Sequence, residues 1–134
     1  AFDKVWHKGL KFKLIQTTLP SPFVYLLCNF LDSRKVKIKF KNLYSNYFYP
    51  SSGVPQGSVL SSTLFNFYTH DIPPSVHENT DICFADDISQ IIMYLMGSRR
   101  ALAEETSHEI SRINRFERKW KIQTNNNKFK LISI

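Results

Sequence analysis

Asp86 and Asp87 stand side by side, after the apolar run Ile82 to Ala85 and before another, Ile91 to Leu95. Neighbouring residues of a strand point to opposite faces, so an Asp-Asp pair suits a tight turn between two strands better than a strand interior. Such a β-turn exposes both carboxylates. With a partner carboxylate they would hold a divalent metal, because hard ions such as Mg²⁺ take oxygen ligands and keep positions open for water and phosphate. The second reading is ordinary hairpin chemistry, since aspartate favours turns through hydrogen bonds to its own backbone.

A second stretch with chemical character is the loop Pro50 to Gly57, where Gly53 and Gly57 free the backbone and Pro50 and Pro55 restrict it. Glycine permits close approach of backbone to a ligand. Ser58 follows as an N-cap, and Leu60, Leu64, Phe65, Phe67 and Tyr68 mark a helix that Pro73-Pro74 terminates. The amides at the start of that helix favour an anion.

The remaining elements must position these two stretches. Trp6, Leu10, Leu14 and Ile15 recur at helical spacing between Val5 and Leu19. Ser21-Pro22 supplies an N-cap followed by proline at the first helical position. The broad apolar face of Phe23, Val24, Leu26, Leu27, Phe30 and Leu31 then predicts a buried helix ending near Asp32-Ser33. Residues 35–41 alternate strictly, with Val36, Ile38 and Phe40 on one face and Lys35, Lys37, Lys39 and Lys41 on the other. A turn over Asn42 to Asn46 and a return strand over Tyr47 to Tyr49 close this hairpin. Its lysine face fits either a solvated, edge-protecting surface or a phosphate-tracking one.

Gly97-Ser98 opens the longest helical pattern, with Leu102, Thr106, Ile110, Ile113, Phe116 and Trp120 as its packing face, expected to lie across a sheet. Arg112, Arg115, Arg118 and Lys119 are assigned to its exposed basic side. Lys121 to Thr124 and Lys128 to Ile134 read as a closing strand pair. The order predicts an α+β layer fold in which the strands collect in one antiparallel sheet backed by helices.

The 134 residues suit one domain or part of one. Lys and Arg outnumber Asp and Glu by 18 to 11, a net charge of +7 that favours a polyanionic partner and predicts salt-sensitive, sequence-independent binding to RNA or DNA. Cys28 and Cys83 lie far apart with no zinc-like neighbours, which points to a reduced, intracellular setting. No apolar run approaches the roughly 18 residues of a membrane span, and no cleavable leader pattern is present, so neither membrane residence nor secretion is expected. His7, His70, His77 and His108 share no metal-like spacing and read as surface residues.

Four blocks in this order resemble the reverse transcriptase domain of non-LTR, LINE-type retrotransposons, nearest to the jockey-like insect elements. They are Ala1-Phe2-Asp3-Lys4-Val5-Trp6-His7; Gly53-Val54-Pro55-Gln56-Gly57-Ser58-Val59-Leu60-Ser61; Phe84-Ala85-Asp86-Asp87; and Trp120-Lys121-Ile122 with Asn125 and Lys128. The resemblance implies a polymerase palm-like antiparallel sheet backed by helices, with part of the fingers. It also implies nucleotidyl transfer with two Mg²⁺ or Mn²⁺ ions, an RNA template, a DNA primer and deoxynucleoside triphosphates. By that resemblance Asp86 is a metal ligand and Asp87 the second, less indispensable carboxylate. Phe2 is similar to the aromatic residue that crowds the sugar 2′ position. Gly53, Pro55, Gln56 and Gly57 resemble the loop against the template and forming base pair, and Lys128 resembles a lysine near the leaving pyrophosphate, a candidate proton donor.

The resemblance puts the family's first metal-binding aspartate ahead of Phe2. Residues 1–134 are therefore expected to be a partial domain that starts inside the first catalytic motif and lacks the thumb. Asp3 matches the family's following aspartate, read as a helix cap. Ser62 in place of proline and Phe129 in place of a small hydroxyl residue suggest a decaying copy. Two functions compete: part of an RNA-directed DNA polymerase, inactive as these residues alone, or a catalytically dead remnant that at most binds nucleic acid non-specifically. A metal-dependent phosphohydrolase finds no histidine cluster to complete its site.

Overall fold

The computed structural model describes residues 2–75, 80–84, 87–92, 98–125 and 130. They belong to two compact units, Phe2–Tyr68 and Thr69–Ile134.

The first unit begins with a 3₁₀ turn, Phe2–Lys4, followed by α1 (His7–Ile15) and α2 (Ser21–Asp32). Trp6 is the N-cap of α1 without a side-chain capping bond, so Asp3 is not the helix cap expected of it. Leu10 and Leu14, one helical turn apart, are buried together with Val5, Leu31, Val54, Leu64, Phe65 and Tyr68. Lys13 is buried too, and it is satisfied: its ammonium donates to the Tyr68 carbonyl and lies 5.0 Å from the centroid of the Tyr68 ring. Pro20 rather than Ser21 occupies the N-cap of α2, with Pro22 in the first turn, where its missing N–H costs no helical bond.

Burial of α2 does not follow the sequence expectation. Of its residues only Leu31 is buried, while Phe23, Tyr25 and Leu26 are largely exposed. The last turn is the part held to α1, through Leu31 and an ion pair from Lys11 to Asp32. Apolar periodicity identifies a face that is able to pack, not the neighbour that covers it.

The hairpin is present with a tighter turn than expected. β1 (Lys39–Phe40) pairs antiparallel with β2 (Leu43–Tyr44), the turn falls on Lys41-Asn42, and Lys41 adopts a positive φ of 52°. A second bridge, Val36 to Phe48, continues the pairing toward the base. The loop then leads into α3 (Val59–Thr69).

In the second unit, β3 (Thr80–Phe84) and β4 (Asp87–Ile91) form an antiparallel hairpin, and α4 spans Arg99–Trp120. The helix opens after Gly97-Ser98 as predicted, with Ser98 capping it by accepting a hydrogen bond from the Ala101 amide, and Lys121 ends it at φ 53°. Among the described residues the strands form two separate two-stranded sheets rather than one collected sheet. Lys121 to Thr124 are not a strand. Lys121 terminates the helix in the left-handed region, and the Thr124 amide donates back to the Glu117 carboxylate at 2.7 Å. The expected last strand, Lys128 to Ile134, lies outside the described residues apart from Lys130.

The packing face of α4 is rotated from the one read off apolar spacing. Phe116 and Trp120 are buried as expected, but Glu109 and Arg112 are buried beside them, while Ile110 is exposed. Arg112 therefore does not belong to the exposed basic side; Arg115, Arg118 and Lys119 do. No described helix is long and apolar enough to cross a membrane.

Candidate functional site

The loop residues singled out by sequence come together on the N-terminal segment. Gly53 donates to the Val5 carbonyl at 2.8 Å, Val54 donates to the Phe2 carbonyl at 3.0 Å, and Ser52 bridges Trp6. The Ser52 hydroxyl donates to the Asp3 carbonyl at 3.2 Å. This contact is close enough to require glycine. A Cβ on Gly53 would stand 2.9 Å from the Asp3 Cα, and its φ is +82°. Gly57 also has positive φ, +84°, but a Cβ there meets nothing within 4 Å, so only its backbone conformation demands glycine.

The Gly53 carbonyl accepts from His7 Nε2 at 2.7 Å and from Arg34 Nη2 at 3.1 Å; the same guanidinium group reaches the Ser52 carbonyl at 3.3 Å. His7 is thus a buried clamp on the loop, not the surface residue that its isolation in the sequence suggested. Desolvation lowers the Arg34 pKa from the ordinary arginine value. Both residues escaped sequence reasoning, because Arg34 reads as the first member of the lysine run and no spacing rule links His7 to residue 53.

Within this cradle, Phe2 stacks on Phe65 of α3, with ring centroids 4.5 Å apart and planes 18° apart. Gln56 is exposed and its amide donates to the Asp3 carboxylate at 3.3 and 3.4 Å. Ser61 of α3 donates to the Pro55 carbonyl. The 3₁₀ turn at Phe2 and the loop around Gly53, Pro55 and Gln56 are thus joined by hydrogen bonds, and Asp3 holds Gln56 instead of capping a helix.

The acidic pair belongs to the second unit. The β3–β4 register runs from Thr80 opposite Ile91 to Phe84 opposite Asp87, so Asp87 is paired at the end of the ladder. Asp86 and Ala85, between them, lie outside the described residues, as does Lys128. Strand alternation divides the hairpin into two faces. Asp81 and its partner Gln90 are on one; Thr80, Ile82, Asp87, Ser89 and Ile91, all exposed, are on the other.

The first face is tied to α4. Arg112 donates from Nε to Glu109 at 2.5 Å and from Nη2 to Asp81 at 3.2 Å, while Gln90 Nε2 donates to both Asp81 and Glu109 at 2.9 Å. This buried network fixes the back of the hairpin and leaves the Asp87 face open. Carboxylate oxygens suit a hard divalent ion, and Asp87 offers its group at an exposed strand end. Among the described residues no three His, Cys, Asp or Glu side chains gather to hold a metal.

An exposed carboxylate at a strand end and, in the other unit, a glycine-bearing loop clamped before a helix are the features with chemical character among the described residues. The chain belongs to the reverse transcriptase (RNA-dependent DNA polymerase) family, whose model matches residues 1–133. It is 36% identical over 132 residues to the probable RNA-directed DNA polymerase from transposon X-element of Drosophila melanogaster, covering 96% of this chain and 14% of that protein. It is 30% identical over 132 residues to the probable RNA-directed DNA polymerase from transposon BS of the same organism, covering 93% of this chain and 14% of that protein. A third relative, the RNA-directed DNA polymerase from mobile element jockey of Drosophila funebris, is 40% identical over 73 residues, 54% of this chain and 8% of that protein. The chain thus spans about one seventh of the first two relatives. No solved structure matches it.

Proposed function

We propose that these residues are the palm, with part of the fingers, of an RNA-directed DNA polymerase from a non-LTR retrotransposon. In this reading Asp86 and Asp87 hold Mg²⁺ or Mn²⁺, Phe2 guards the sugar, and Gly53, Pro55, Gln56 and Gly57 form the surface for template and incoming nucleotide. Lys128 serves as proton donor to the leaving pyrophosphate. The bound ions would supply charge neutralisation at the transferring phosphate and activation of the primer hydroxyl. What the chain itself contributes is position. The observation that supports the reading is the β3–β4 register, whose last described pair is Phe84 opposite Asp87, with Asp87 exposed at its strand end.

The test is to replace the matching segment of a transposon X-element-like polymerase with residues 1–134 and to measure primer extension on an RNA template. Extension that needs Mg²⁺ or Mn²⁺ and falls to background in Asp86→Asn is the expected result. A folded chimaera that binds template and primer yet never extends would favour the non-catalytic remnant instead.

A further inference from the structure

The β1–β2 hairpin contains one residue too many for a regular ladder. Lys39 is opposite Tyr44, whereas Val36 is opposite Phe48, so two residues on the outgoing side, Lys37 and Ile38, face three on the return, Ser45, Asn46 and Tyr47. The extra residue reverses the alternation of the return side. In a regular strand Tyr44 and Tyr47 would point to opposite faces. Here Tyr44, Tyr47 and Tyr49 all join the lysines. The Lys37 ammonium lies 4.3 Å from the Tyr44 centroid and 5.2 Å from that of Tyr47, Lys39 lies 5.5 Å from Tyr44, and Lys35 lies 5.9 Å from Tyr49. Ser45 keeps the irregular ladder satisfied: its hydroxyl accepts from the Ile38 amide at 2.8 Å and its own amide donates to the Ile38 carbonyl at 2.9 Å.

One face therefore carries three tyrosine rings, 55%, 62% and 64% exposed, interleaved with the exposed lysines Lys35, Lys37 and Lys39, while Lys41, in the turn, lies over the Phe40 ring. Residues 35–49 contain no acidic side chain. Lysines two residues apart on a strand recur about every 6.7 Å, roughly twice the ~3.4 Å phosphate rise along one stacked nucleic-acid strand. Rings between such cations match unpaired bases, whose faces are hidden inside a duplex.

We propose that this face is a stacking platform for a single strand of nucleic acid. Unpaired bases rest on Tyr44, Tyr47 and Tyr49 while Lys35, Lys37 and Lys39 meet the phosphates. The proposal deepens the polymerase reading and rests on it only in that the chain handles nucleic acid. Fluorescence anisotropy at low salt, with the whole chain, compares labelled oligothymidylate with an abasic oligomer of the same length. Oligothymidylate is expected to bind at least about fivefold more tightly. Joint replacement Tyr44→Ala, Tyr47→Ala, Tyr49→Ala removes that preference and leaves affinity for the abasic strand unchanged, whereas the three corresponding changes to Phe retain it. Equal affinity of the unaltered chain for both oligomers, no binding of either, or a preference that survives the alanine variant overturns the platform. None of these results depends on primer extension, so failure of catalysis and failure of the platform are read separately.

Discussion

Arg112 of α4 reaches across to Asp81 of β3 at 3.2 Å, and through the same guanidinium it also holds Glu109 at 2.5 Å. One buried cation thus binds two carboxylates, while its Nη1 is buried without a hydrogen-bond partner. Such a pairing is worth little relative to a well-packed apolar core, but removing the arginine leaves two partly or fully buried carboxylates without their cation.

Arg112→Ala is accordingly expected to destabilise the chain by about 3–5 kcal/mol, since it leaves Asp81 and the fully buried Glu109 facing each other across Gln90. Arg115→Ala, on the exposed side of the same helix, should change stability by no more than about 0.5 kcal/mol. Urea unfolding of both variants checks the contrast. Equal midpoints would mean that the network does not brace the hairpin.

The two positive-φ glycines separate two reasons for glycine. Gly57→Ala carries only the left-handed backbone penalty, about 1–2 kcal/mol. Gly53→Ala carries the same penalty and also drives a methyl against the Asp3 backbone, so it should cost clearly more and loosen the loop from residues 2–5. Thermal unfolding orders the two, and hydrogen exchange at the Gly53 and Val54 amides locates the loss.

Much of this was legible before any coordinates. The helix opening after Gly97-Ser98 and the apolar run preceding the acidic pair depend on local periodicity, and both formed where expected, whereas the lysine run formed a hairpin with its strands and turn shifted, β2 at Leu43–Tyr44 instead of Tyr47 to Tyr49. What was not legible depends on partners distant in the chain. No local rule connects His7 or Arg34 to the Gly53 carbonyl, or Arg112 to Asp81, and burial of charge contradicts the hydropathy by which packing faces are read. The bulge that gathers three tyrosines on the lysine face is equally invisible, because Tyr44 and Tyr47 are spaced for opposite faces.

Salt dependence tests the lysine face by itself. Each lysine that neutralises a phosphate of a single strand contributes about −0.7 to the slope of log affinity against log salt. Lys37→Gln with Lys39→Gln should therefore flatten the slope by roughly 1.4. Both side chains are exposed, so the fold is retained, which circular dichroism verifies. An unchanged slope would assign the phosphate contacts to Arg115, Arg118 and Lys119 of α4 instead.

The last prediction concerns catalysis by residues 1–134 on their own: they should not extend a primer with Mg²⁺ or Mn²⁺ and deoxynucleotides. Two-metal transfer needs ions about 3.5–4 Å apart, and two carboxylates adjacent in sequence do not fix both without a further ligand. Asp3 is a poor substitute, because its carboxylate is engaged by the Gln56 amide and its carbonyl by the Ser52 hydroxyl. A Mn²⁺ titration followed by paramagnetic line broadening should nevertheless perturb the hairpin tip, and Asp86→Asn should suppress that broadening more than Asp87→Asn does. Primer extension by the isolated residues that disappears in Asp86→Asn would show that the chain completes a two-metal site from its own carboxylates, and the metal assignment would have to be redrawn around Asp3.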